Sequence, residues 1–77
     1  MDIKEKVIEI IAETCGIEKK EVNENSTVGD FPGWDSMGHL SILQQVEEAF
    51  DINFDPEEVM ELEDVQDIVK AVEAKLQ

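Results

Sequence analysis

Residues 35–50, DSMGHLSILQQVEEAF, carry the pattern from which the fold of this chain is read. Asp35 is a helix N-cap residue. Leu40, Leu43, Val46 or Glu47, and Phe50 then recur at helical spacing, with Met37 and Ile42 on the flanks. The spacing predicts a helix over Ser36 to Phe50. Downstream, Asp55, Pro56 and Glu58 are the preferred chemistry for N-cap, N1 and N3, which predicts a short helix ending near Glu61. Asp64 caps a further helix whose apolar stripe is Val65, Ile68, Val69, Val72 and Leu76.

Upstream, Ile3, Val7, Ile10 and Ile11 share one helical face. Asp2 and Glu5 read as a capping box and Gly16 as the residue just past the end, so a helix is predicted over 3–15. Between these helices, IEKKEVNENSTVGDFPGW reads as a long loop with one turn of helix near Lys19 to Val22, and Val28 and Phe31 as its anchors to the core. No β-type alternation interrupts the chain. The expected fold is all-α: a small bundle of three main helices and one short helix, with a long first loop, in a single domain over 1–77.

A chain of 77 residues buries only about 60–65% of the surface its unfolded form exposes, which leaves little room for a deep catalytic cleft. Any chemistry belongs on the surface, or is borrowed from a partner or cofactor. The lone Cys15 excludes an internal disulfide and suits a reducing cytoplasm. The first residues, MDIKEKVIEI, are not those of a signal peptide, and no apolar run reaches the roughly 20 residues of a membrane span. A cytoplasmic monomer without stable membrane insertion is expected.

The net charge of −14 is unevenly placed. All six cations are lysines, at 4, 6, 19, 20, 70 and 75, and between Glu21 and Val69 there is none, while fourteen of the twenty carboxylates lie in that stretch. Nucleic acid and anionic membrane are poor partners for such a surface. Basic protein patches are good ones, attracted in a salt-dependent way.

The segment PGWDSMGHL, residues 32–40, sets a serine at the start of a helix directly after the long loop. A helix N-terminus offers unpaired N–H groups and a partial positive charge, so Ser36 is placed to hold a phosphodiester. A hydrolase reading fails, because the first glycine of G-x-S-x-G is replaced by Trp34. The single histidine, His39, lies one turn further on the same helix and is read as a surface or partner-contact residue. Asp51, Asn53 and Asp55 imitate the start of a calcium loop, but Pro56 and Leu62 stand where glycine and glutamate are needed. No metal site and no catalytic residue is expected.

GWDSMGHLSILQQVEEAFDINFDPEEV resembles the phosphopantetheine-attachment region of acyl carrier proteins, and the resemblance covers essentially the whole chain. It implies that Ser36 takes 4′-phosphopantetheine from coenzyme A through a phosphopantetheinyl transferase, with Asp35 assisting. It implies that Met37, Glu47 and Glu48 lie on the face read by basic loading and condensing enzymes. It also implies an acyl chain tucked beside the second helix, with Leu43, Val46, Phe50, Phe54, Val59, Leu62 and Ile68 as candidate lining. Trp34, Met37 and the weakly acidic MGHLSILQQ look like a specialised carrier rather than the primary fatty-acid one. Asp-Ser-Met-Gly also occurs in D-alanyl carriers, so an aminoacyl load, D-alanyl or nonribosomal peptide, is the alternative, and an acidic non-carrier interaction module is a further one.

Overall fold

The computed structural model describes residues 2–77. Four helices follow in order, α1 (Ile3–Cys15), α2 (Ser36–Phe50), α3 (Pro56–Glu61) and α4 (Val65–Leu76), with a 3-10 turn at Lys19–Glu21 in the first loop. Local chemistry sets most of the boundaries. Asp2 accepts from the Lys4 amide at 3.0 Å, although Glu5 completes no box with it among the described residues. Full boxes form instead at Glu18 with Glu21 and at Asp55 with Glu58. Gly16, left-handed at φ 70°, ends α1 as expected of a residue without Cβ.

Helix α1 packs against both α2 and α4. Val7, Ile10 and Ile11 of α1 meet Ile42, Leu43 and Val46 of α2 and Val65, Ile68 and Val72 of α4 in one buried cluster. The buried face of α2 is rotated from the one the spacing suggested. His39, Ile42, Leu43 and Val46 point inward, whereas Leu40 is 58% exposed. The reason is that His39 behaves as a core residue, its two ring nitrogens both satisfied by internal partners.

The long loop is anchored differently from expectation. Val28 is exposed, and Phe31 is half-buried, stacked on Trp34 with ring centroids 6.4 Å apart. The anchor is Trp34, fully buried, with Val22 and Ser26. A short antiparallel bridge between Thr27 and Asp64 joins the loop to the start of α4. There the Thr27 hydroxyl (2.7 Å) and the Val28 amide (2.9 Å) both donate to the Glu63 carbonyl. None of the helices among the described residues is long and apolar enough to cross a membrane.

Candidate functional site at the start of α2

Ser36 is the first residue of α2 and is exposed to solvent. Asp35, in extended backbone, caps the helix. Its Oδ1 accepts from the Gly38 amide at 2.8 Å and its carbonyl from the His39 amide at 2.8 Å. The amides of Ser36 and Met37 find no acceptor among the described residues. Two free N–H donors thus lie beside the Ser36 hydroxyl, at the positive end of a fifteen-residue helix.

The loop before Ser36 is held from below. The Trp34 indole N–H donates to Nδ1 of His39 at 3.0 Å, and Nε2 of His39 lies 2.6 Å from the Leu62 carbonyl. An indole nitrogen can only donate and a carbonyl can only accept, so His39 is neutral with its proton on Nε2. His39 is therefore not the surface residue that its sequence position suggested; it is 9% exposed and bridges α2 to the end of α3. Both ring nitrogens are occupied, so it has no lone pair with which to activate Ser36.

Close backbone packing fixes the same junction. A Cβ at Gly38 would run into the Gly33 carbonyl oxygen, and one at Gly33 would come within 2.8 Å of the Cys15 Cα. The loop is thereby pressed between the end of α1 and the start of α2. Burial, and then the negative charge of Asp35, hold the Cys15 thiol above its ordinary value of 9.0.

The other residues singled out in the sequence fall into three groups. Met37 is 81% exposed one residue beyond Ser36, and Glu48 is exposed further along α2. Glu47 is half-buried, and its Oε2 accepts from the Phe54 amide at 2.7 Å, so part of its role is to hold the turn after α2. Leu43, Val46, Phe54, Leu62 and Ile68 are buried in the core, with Phe50 and Val59 partly buried against it. Two surface hollows, of about 310 and 290 Å³, are lined elsewhere, by the end of α2 and the following turn and by the α1–α2 groove. The pseudo-calcium turn is accounted for without an ion: Asp51 is the left-handed cap of α2, at φ 55°, and Asp55 caps α3.

Sequence reasoning missed Trp34 as the anchor and His39 as its partner. Their five-residue spacing across a helix start was visible, but the Leu62 carbonyl that completes the relay lies twenty-three residues from His39.

An exposed serine with two free helix amides fits the phosphodiester of a phosphopantetheine arm, and residues 5–72 match the family described as "Phosphopantetheine attachment site". Among curated proteins, the chain is 40% identical over 75 residues to an acyl carrier protein of Streptococcus pyogenes, covering 97% of each chain. It is 32% identical over 75 residues to one of Solidesulfovibrio magneticus, covering 97% of this chain and 96% of that one. To one of Prochlorococcus marinus it is 35% identical over 74 residues, covering 96% and 92%. The chain belongs to the acyl carrier protein family, carriers rather than enzymes, whose prosthetic group is 4′-phosphopantetheine.

Proposed function

We propose that Ser36 is the attachment residue and that the chain carries acyl groups as thioesters on that arm between enzymes of fatty-acid, polyketide or related lipid biosynthesis. The observation that carries this reading is a comparison of the three serines. Ser26 is buried with its hydroxyl bonded to the Asn23 amide. Ser41 sits inside α2 with its hydroxyl bonded to Gln45. Ser36 alone is exposed at a helix start with free amides beside it.

The arm supplies a thiol that forms the thioester. This chain's own residues would present and hold it: the Ser36 and Met37 amides would bind the phosphate oxygens, and Asp35 fixes the first turn of α2. Asp35 also leaves one carboxylate oxygen without a partner among the described residues, available to the transferase and its metal. Met37 and Glu48 are the exposed groups on α2 that a basic loading or condensing enzyme would read, with Glu47 secondary because its carboxylate is engaged. Tethering raises the effective concentration of the load at a docked enzyme to about the millimolar range.

Incubation with a broad-specificity phosphopantetheinyl transferase and coenzyme A tests the reading. Wild type is expected to gain one arm and Ser36→Ala none; wild type left unmodified by several such transferases would refute it.

A further inference from the structure

His39 grips both residues that precede Ser36. Its main-chain N–H donates to the Asp35 carbonyl at 2.8 Å, and its ring accepts from the Trp34 indole at 3.0 Å. The other ring nitrogen is tied to the Leu62 carbonyl. Trp34 is fixed through its backbone as well: its amide donates to the Phe31 carbonyl at 2.9 Å, and its carbonyl accepts from the Gly29 amide at 2.8 Å. Every polar group of Trp34 is therefore engaged, two residues before an exposed hydroxyl.

Stability alone does not call for this pair. Replacing both partners of a buried hydrogen bond by apolar groups of similar shape is often close to neutral. What the hydrogen bond adds is direction, because a fully satisfied buried network selects one arrangement of its members. Here that arrangement fixes the exit of the loop into α2, the same junction that is pressed at Gly33 and Gly38. Group transfer to a hydroxyl is sensitive to such placement, since a shift of about 1 Å can cost about a hundredfold in rate.

We propose that Trp34 and His39 are positioning residues for transfer of the arm to Ser36: their buried hydrogen bond sets the angle at which the hydroxyl is offered to the transferase, and neither side chain touches a reactant. The inference rests on attachment at Ser36. In that step the Ser36 oxygen forms a bond to the pantetheine-bearing phosphorus of coenzyme A. The pyrophosphate P–O bond breaks, and adenosine bisphosphate leaves with its electron pair. The hydroxyl proton passes to a base of the transferase or to solvent. His39 takes no part in that proton transfer, because both its ring nitrogens are occupied.

The test is steady-state kinetics of a phosphopantetheinyl transferase with coenzyme A in excess and the carrier as the varied substrate. Four proteins are compared, each shown to be folded by circular dichroism: wild type, W34F/H39L, H39Q and V72A. The double variant removes the hydrogen bond, with W34F alone in its place should it not fold. Gln at 39 keeps an acceptor and a donor, and Val72→Ala makes a cavity in the buried face of α4. In W34F/H39L kcat is expected to fall about tenfold or more, with KM within about twofold because Met37 and Glu48 stay exposed on α2. H39Q is expected to recover kcat to within about threefold of wild type, and V72A to lose stability while keeping kcat. An unchanged kcat in the double variant, a rise in KM alone, an equal fall in V72A, or no recovery in H39Q overturns the positioning role and leaves attachment at Ser36 standing. Wild type left unmodified overturns both.

Discussion

At Asp35 and Gly38 two neighbouring residues do separate jobs, and substitution can tell them apart. Asp35 caps α2 through Oδ1, and loss of such a cap costs about 1 kcal/mol. Asp35→Ala should therefore lower stability in urea by about that amount, whereas Asp35→Asn, also a good cap, should stay near wild type. If the free carboxylate oxygen serves the transferase, both variants should be modified more slowly. A D35N protein modified at the wild-type rate would confine Asp35 to capping. Gly38 has no room for a Cβ against the Gly33 carbonyl. Gly38→Ala gains helix propensity, yet should destabilise by about 1–3 kcal/mol because the loop must shift. Denaturation curves decide the sign.

Helix boundaries were legible in the sequence because caps are local. Asp35, Asp55, Asp64 and Gly16 act within a turn of where they stand, so α1 ends and α2, α3 and α4 begin where those residues indicate. The inward face of α2 was not legible, since Leu40 and His39 exchange their expected places. An apolar scale ranks leucine as core and histidine as surface, and only a distant carbonyl and a buried indole reverse that order. The exposed serine of the site was legible for the same local reason as the caps; the support beneath it was not. Long-range ties also fix α3. Lys75 of α4 reaches Glu58 of α3 at 2.8 Å and lies 5.9 Å from the centre of the Phe54 ring. Hydrogen bonds from the Asp55 amide and from Lys75 hold the Glu58 carboxyl below its ordinary 4.5, and the bond to Glu58 holds Lys75 above its ordinary 10.5. The stabilisation from Glu58 is complete above 4.5 and fades as pH falls through its lowered value; that from Lys75 is complete below 10.5 and fades above it. Lys75→Met should lower the melting temperature at neutral pH, and the difference from wild type should close as the solution is acidified below 4.5. A difference unchanged at acid pH would assign the effect to packing on Phe54.

Across the whole molecule, the acidic middle meets few cations. Of the four ion pairs among the described residues, two bring lysine to that stretch, Lys4 to Glu24 and Lys75 to Glu58. With a net charge of −14, repulsion outweighs these few, at least partly exposed attractions. Raising ionic strength from low salt to about 0.15 M shortens the screening length to about 8 Å and should raise the melting temperature by several degrees. A fall would show that the ion pairs outweigh the repulsion. On the proposed carrier role, the same charge would favour contacts with basic enzymes that form fast, screen easily and release fast.

All of this converges on one hydroxyl, and the chain holds three serines among which the arm must choose. The direct measurement is fragmentation mass spectrometry of the protein after reaction with a phosphopantetheinyl transferase and coenzyme A. A single phosphopantetheinyl group located on Ser36 is the predicted result. The same group on Ser26 or Ser41, or no group at all, would contradict it.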